Sequence, residues 1–126
     1  PAPAHVGDGP TLSWSETVAR TLALADGLGR LGLAPGARIA ILAGNGVDYF
    51  ELSYALLMAG IVMVPLNTRL APPEIEEQLA DCAADALVVD PAFLPLGIEL
   101  QGRRPHLAHL IGCNGAAAPN TLDALR

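Results

Sequence analysis

Two glycines, Gly44 and Gly46, flank a turn between an apolar run and a helix-like segment, in the stretch ILAGNGVDYF of residues 41–50. A Gly-x-Gly turn between a strand and a helix can bring backbone amides and a helix N-terminus close to a phosphate. The full dinucleotide-binding fingerprint also needs a third small residue and an acidic residue about 20 positions later. Those places hold Tyr49 and Asn67. Two interpretations stay open, a phosphate contact or a turn that only shapes the loop.

Cysteine and histidine, which could ligate a metal or act as nucleophiles, show no spacing typical of a site. Cys82 and Cys113 stand 31 positions apart without a C-x-x-C motif. We interpret both as unpaired thiols, not as a redox pair or zinc ligands. His106 and His109 flank a predicted strand, where residues three apart point to opposite faces and cannot easily share a metal ion. We therefore predict no metal site and no catalytic residue in this chain.

The charged residues argue against nucleic acid and against lysine chemistry. The net charge is −6, and all seven basic residues are arginine. The chain lacks the clustered basic surface that binding to nucleic acid requires. Schiff-base and P-loop chemistry need a lysine ammonium, so this segment provides neither. Glu74, Glu76 and Glu77 fall in the first turn of a predicted helix, where they suit the helix dipole and are expected to be solvated.

The composition predicts one domain with more apolar surface than it can bury by itself. The 126 residues are 52% hydrophobic and 16% charged, and a domain of this size buries roughly two thirds of its unfolded surface. We therefore expect self-association through exposed apolar surface. The longest apolar run, residues 54–66, contains Gly60 and Pro65 and is too short and too broken to span a membrane. With no signal-peptide pattern, we expect a cytoplasmic location.

The first predicted helix follows residues 1–9, which are typical of a flexible lead-in. Ser13 and Glu16 have capping-box spacing, which marks the start of this helix. Gly32 is its predicted end, because glycine closes a helix in the left-handed conformation without a Cβ penalty. Apolar residues at three- and four-residue spacing predict the face that packs in the core, namely Trp14, Val18, Leu22, Ala25 and Leu28.

Three short apolar runs, at residues 38–42, 61–65 and 86–90, predict parallel strands that are covered on both sides. The helix between the first two, residues 47–58, has Asn45 as a possible cap and is apolar on nearly every side, so we expect it to be sandwiched.

The next helix follows Pro72 and Pro73, with Ile75, Leu79 and Cys82 as its inner stripe. Beyond Pro91 the glycines and prolines predict a connector, then a fourth strand at residues 107–111 and one helical turn after Asn120. Together these elements predict an α/β fold of strand–helix–strand units with helices on both faces of a parallel sheet.

Three stretches within residues 12–90 carry a family resemblance: LADGLGRLGLAPGARIAIL, GNGVDYFELSYALLMAG and AGIVMVPLNTRLAPPEIEEQLADCAADALVVD. They are similar to the N-terminal part of the AMP-forming acyl-CoA synthetases, the adenylate-forming ligases. Ala37, Gly46 and Ala71 depart from the Asp, Ser and Ser or Thr that are usual in that family, at structural positions. The resemblance implies that residues 10–126 are an N-terminal α/β subdomain of such a ligase. Losing the helix cap at Ala71 should cost about 1 kcal/mol.

The resemblance implies an activity for a longer parent enzyme. A carboxylic acid would react with ATP, assisted by Mg²⁺, to give an acyl-adenylate and pyrophosphate, and coenzyme A would then displace AMP. In the family a later Ser/Thr/Gly-rich loop and a lysine near the C-terminus serve the nucleotide, and neither occurs in these 126 residues. We therefore expect this chain alone to be inactive, to bind none of these cofactors, and to use the Gly44–Gly46 turn only as a connector.

Arg69, in PLNTRL, is the one residue that resembles a family position credited with ligand contact, near the nucleotide part of coenzyme A. A guanidinium can donate two hydrogen bonds to a phosphate, but an arginine just after a strand is equally suited to a structural contact. An alternative to the ligase is a free-standing flavodoxin-like binding module that uses the same scaffold without catalysis, since the fold alone does not decide function.

Overall fold

The computed structural model describes residues 3–5, 12–44 and 46–126. The strands in these ranges are β1 (Pro3–His5), β2 (Leu12–Ser13), β3 (Arg38–Leu42), β4 (Val62–Pro65), β5 (Ala86–Val89), β6 (His109–Gly112) and β7 (Asn120–Thr121). The helices are α1 (Trp14–Arg30), α2 (Val47–Ala59), α3 (Pro72–Cys82), α4 (Leu94–Arg103) and α5 (Leu122–Leu125), with a 3-10 turn at Pro91–Phe93. Asn45, the predicted cap of α2, and most of the predicted lead-in lie outside the described residues.

Five of these strands form one parallel sheet in the order β4-β3-β5-β6-β7. Arg38 of β3 lies opposite Val62 of β4, and Ile39 lies opposite Ala86 of β5. The chain therefore steps outward from β3 to β4 and then crosses to the other side of β3. β1 and β2 form a separate antiparallel pair. The predicted α/β fold with a parallel sheet is confirmed.

Helices cover both faces of the sheet, because alternate residues of each strand point to opposite sides. One core contains Ile39 and Ile41 of β3 together with side chains of α1, α2 and α5. The other contains Ala40 and Leu42 with side chains of α3 and α4. Strands β3 and β5 are buried on both sides, as their nearly continuous apolar runs predicted. The same expectation is wrong for residues 61–65, because β4 lies at the edge of the sheet and is only partly covered.

Helix α1 begins where the capping pattern predicts but buries a different face. The Ser13 Oγ accepts a hydrogen bond from the Glu16 N–H at 3.1 Å, and Gly32 follows the helix with φ +98°. The predicted core stripe is wrong in its first half, since Trp14, Val18 and Leu22 are 53%, 53% and 51% exposed. The buried positions are Thr17, Thr21, Leu24, Gly27 and Leu28. Periodicity finds an apolar face but cannot tell which of two adjoining faces the sheet covers.

Helix α2 is covered on one side only within the described chain, which differs from the expected sandwich. Glu51, Leu52, Ala55 and Leu56 are buried, whereas Tyr54, Leu57 and Met58 are exposed. Gly60 ends the helix in the left-handed conformation with φ +71°. An apolar side of α2 is therefore left facing away from the sheet.

Helix α4 replaces the connector predicted after Pro91, so that prediction is wrong. The Asp90 side chain accepts hydrogen bonds from the Ala92 and Phe93 N–H groups, which starts the 3-10 turn that leads into the helix. Pro95 sits in the first helical turn, where a missing N–H costs nothing. Gly97 allows close packing, because a Cβ there would lie 2.9 Å from Leu110 Cδ1. Pro95 and Gly97 therefore belong to a packed helix and not to a connector.

Helix α3 buries the predicted stripe, but one of its acidic residues is ion-paired. Ile75 and Leu79 form the buried stripe of α3 as predicted, with Cys82 half-buried beside them. Glu76 is paired and not merely solvated, since its carboxylate lies 3.1 Å from both Arg103 and Arg104. Within the described ranges, no helix has the length and apolar character needed to cross a membrane.

Candidate functional site at the carboxyl edge of the sheet

The carboxyl ends of the parallel strands open onto one edge, where the loops after β3, β4, β5 and β6 meet. The strand order reverses between β3 and β5. In open parallel sheets, ligands bind outside the carboxyl ends of the strands, at the point where the order reverses. A ligand-binding site is therefore expected at this carboxyl edge.

The Gly44 turn at this edge is tied to Asp90 rather than left open for a phosphate. The Gly44 N–H donates to Asp90 Oδ2 at 3.1 Å, and the Ala92 and Phe93 N–H groups donate to Asp90 Oδ1 at 3.1 and 3.3 Å. A carboxylate thus occupies the Gly44 N–H, and its negative charge would repel an anion at that donor. Of the two interpretations of the glycine turn, the geometry favours a turn that shapes the loop.

Arg69 lies in the loop after β4, at the same edge of the sheet. Its backbone N–H donates to Asn67 Oδ1 at 2.9 Å. The side chain is exposed, and among the described residues its guanidinium has no hydrogen-bond or ion-pair partner. The alternative role for Arg69 was a structural hydrogen bond or ion pair. Its guanidinium makes neither with the described residues, so it is available to an external anion.

A largely buried ionic network lies at the carboxyl edge, between the start of α2 and the loop after β6. Arg126 Nη2 lies 2.6 Å from Asp48 Oδ1 and 2.8 Å from Glu51 Oε1. Glu51 also accepts from Arg20 Nε at 2.7 Å, and Asp48 accepts from the Asn114 N–H at 2.7 Å. Burial alone lowers the pKa of Arg126, but hydrogen bonds and charges from Asp48 and Glu51 outweigh it and raise that pKa. The network holds α1, α2 and the end of the chain together.

In the described part of the chain, the cysteine and histidine side chains do not assemble into a reactive group. Burial, followed by the charges of Asp48 and Asp90, raises the pKa of Cys113 to about 12, and burial raises that of Cys82. Both cysteines are unpaired, as predicted. Among the described residues, no group of three or more His, Cys, Asp or Glu side chains is placed to hold a metal ion.

An apolar groove of about 200 Å³ lies on the outer side of α1 and α2. Half-exposed side chains from both helices line it, together with two threonines of α1; these residues are Trp14, Thr17, Val18, Thr21, Phe50, Tyr54 and Met58. Thr21 donates its hydroxyl to the Thr17 carbonyl at 2.7 Å. The buried Thr17 Oγ1 has no hydrogen-bond partner among the described residues. The groove is a surface suited to apolar contact.

The sequence singled out Arg69, whose role as a ligand contact stays a prediction, but it did not single out Asp90 or Glu51. Asp90 was assigned only as the end of a strand, although an Asp followed by Pro is a common start of a turn. Glu51 is, with Asp48, one of two charged residues in a mostly apolar helix, which is a signal for a buried ion pair. Its partners Arg20 and Arg126 lie 31 and 75 residues away, so local spacing does not reveal them.

Comparison with known proteins identifies the family. The model of the family described as AMP-binding enzyme matches residues 1–124. Feruloyl-CoA synthase of an Amycolatopsis species is 42% identical over 83 residues, which cover 66% of this chain and 17% of that protein. A fatty acid–[acyl-carrier-protein] ligase of Streptomyces coeruleorubidus is 30% identical over 115 residues, covering 91% of this chain and 22% of that protein.

A solved structure of Mycobacterium tuberculosis fatty acyl CoA synthetase superposes on this chain with a TM-score of 0.75 and 31% identity, covering 83% of this chain and 22% of that one. The chain thus spans about a fifth of the length of the relatives that it matches. The match to the family covers nearly every residue of the chain. The chain belongs to the AMP-binding enzyme family.

Proposed function

We propose that this chain is the N-terminal scaffold of a longer ATP-dependent ligase that joins a carboxylic acid to the thiol of coenzyme A. The observation that carries the proposal is the family match over residues 1–124, together with relatives that are themselves coenzyme A or carrier-protein ligases. In this proposal residues 10–126 are part of the N-terminal domain of that ligase. No observation favours a free-standing flavodoxin-like module.

The reaction would proceed in two steps, because a carboxylate is a poor acyl donor until its oxygen is converted into a good leaving group. Attack of the acid on the α-phosphorus of ATP would release pyrophosphate and form an acyl-adenylate. Attack of the thiol on the acyl carbon would then release AMP. Mg²⁺ would stabilise the charge on the phosphates during the first step. ATP and Mg²⁺ are assigned to the remainder of the longer polypeptide, since the Gly44 amide is already bonded to Asp90.

The contribution of this chain is structural, with one ligand contact at Arg69. The guanidinium at the carboxyl edge is exposed and has no partner among the described residues, which supports a charge-assisted contact to a phosphate of coenzyme A. We place the enzyme in the cytoplasm, where the free thiols of Cys82 and Cys113 would stay reduced. The apolar groove on α1 and α2 supports self-association of the isolated chain.

The proposal is tested by analysing the products of the longer polypeptide that contains this chain. It would be incubated with ATP, Mg²⁺, coenzyme A and a panel of aromatic and aliphatic carboxylic acids. We expect equal amounts of acyl thioester, AMP and pyrophosphate with at least one acid. Formation of ADP and phosphate, or no nucleotide turnover with any acid, would contradict the proposed reaction. The panel also identifies the acid, since the 126 residues do not specify it.

A further inference from the structure

The loop between β4 and α3 is short and held at both ends. The Leu66 N–H donates to the Ile41 carbonyl at 2.8 Å, and the Leu66 side chain is buried in the core under α3 and α4. Leu70 is partly buried against the same core. Only the tip between these leucines, which carries Arg69, is free of the core. The conformation of that tip must be fixed by polar contacts.

Asn67 supplies those contacts. Its Oδ1 accepts from the Arg69 N–H at 2.9 Å, and its backbone carbonyl accepts from the Leu70 N–H at 3.3 Å. An asparagine side chain that bonds the backbone two residues later imitates a backbone turn and restricts the residues that it encloses. Asn67 is exposed, so it packs against little. Its chief physical effect is on the backbone of Arg69.

We infer that Asn67 is a positioning residue, which fixes the backbone from which Arg69 reaches a phosphate of coenzyme A. The inference rests on the proposed function, because it gives Arg69 an anionic ligand. A long arginine side chain loses conformational freedom when it binds, and a loop that also had to be ordered would weaken binding further. Because Asn67 orders the loop before coenzyme A binds, the free-energy cost of ordering the loop is not added to the cost of binding.

The chemistry of position 67 limits what can replace asparagine there. Alanine removes the acceptor and frees the turn. Serine keeps a neutral acceptor that makes the same kind of turn more weakly. Aspartate keeps the acceptor but adds a negative charge next to the guanidinium and the incoming phosphate, so it is a poor control. Thr68 is an exposed neighbour whose side chain forms no hydrogen bond within the described residues, which makes Thr68→Ala the matched control.

The test is a double-mutant cycle on the longer ligase, measuring the KM for coenzyme A and kcat. We expect Asn67→Ala to raise the KM for coenzyme A about 2- to 10-fold, as loss of one hydrogen bond allows. Asn67→Ser should raise it less, and Thr68→Ala should leave it within about 2-fold. In an Arg69→Ala background, Asn67→Ala should have no further effect on this KM, because Asn67 acts through Arg69.

Two results would overturn the inference: an unchanged KM in Asn67→Ala, or equal effects of Asn67→Ala with and without the Arg69 side chain. A lower melting temperature with the same KM would show that Asn67 only stabilises the turn. Failure of the proposed function looks different, since Arg69→Ala would then leave the KM for coenzyme A unchanged, or the longer polypeptide would form no thioester.

Discussion

The buried carboxylate of Glu51 is bonded to the guanidinium of Arg126, with Oε1 2.9 Å from Nε and 2.8 Å from Nη2. Arg20 bonds the other oxygen of the same carboxylate at 2.7 Å. The Glu51 side chain has no exposed surface. It is the ion-pair partner of Arg20, whereas Arg126 is shared between Glu51, Asp48 and Asp123. This contact joins α2 to the end of the chain, 75 residues later.

Glu51→Gln should therefore destabilise the chain strongly. The amide keeps the size of the side chain but removes the carboxylate partner of Arg20 and one of the three carboxylates around Arg126. We expect a loss of about 3 kcal/mol, the lower end of the range for a broken buried pair, because Arg126 keeps two countercharges. Urea unfolding followed by circular dichroism measures the loss. Glu99→Gln is the control, since Glu99 is 60% exposed in its pair with Arg103 and should change stability by about 0.5 kcal/mol or less. Equal effects of the two variants would contradict the role given to Glu51.

Two glycines of α4 should respond in opposite directions to alanine. A Cβ on Gly97 would lie 2.9 Å from Leu110 Cδ1 and 3.0 Å from Val89 Cγ1, and both neighbours are buried. Gly97→Ala should cost about 1–3 kcal/mol through overpacking. Nothing lies within 4 Å of a Cβ on Gly102, so Gly102→Ala should be neutral or stabilise by up to about 1 kcal/mol. Thermal unfolding distinguishes them, and a stable Gly97→Ala variant would show that α4 does not pack as described.

Cys113 should make the fold sensitive to alkaline pH. Its pKa in the folded chain is about 12, above the ordinary value of 9.0, so the unfolded chain loses this proton first. The stability is therefore fully present below pH 9 and falls as the pH rises from there towards 12. Cys113→Ala should reduce this fall, as measured by urea unfolding at several pH values.

In native labelling at pH 8, Cys82 should react and Cys113 should not. Equal labelling of both would contradict the burial of Cys113.

The agreement between sequence and structure is best where a signal is local. The run RIAIL predicted β3 at its observed bounds, because a fully buried parallel strand needs a continuous apolar stretch. The prediction that Trp14, Val18 and Leu22 lie in the core was wrong, since periodicity does not distinguish a buried apolar face from an exposed one. Helix α4 was missed because Gly97 serves packing against a strand that comes later in the chain.

The isolated chain should self-associate through the apolar groove on α1 and α2. Val18→Asp places a charge in the groove and should shift the chain towards monomer, as measured by light scattering across a concentration series. The control is Ile98→Asp on α4, because Ile98 is similarly exposed at 56% but lies on the opposite face of the sheet. A wild-type chain that stays monomeric at high concentration would contradict self-association. A dimer that persists in Val18→Asp but dissociates in Ile98→Asp would place the contact on the wrong face.

Pyrophosphate exchange tests the proposed ligase most directly. The longer polypeptide would be mixed with ATP, Mg²⁺, labelled pyrophosphate and a carboxylic acid, without coenzyme A, and the 126-residue chain would be assayed alongside it. We expect the longer polypeptide to return label to ATP only when a suitable acid is present, because the acyl-adenylate forms reversibly. We expect no exchange with the 126-residue chain, whose Gly44 turn is already bonded to Asp90. Exchange by the short chain, or label return that is independent of any acid, would contradict the assignment of this chain as the scaffold of an AMP-forming ligase.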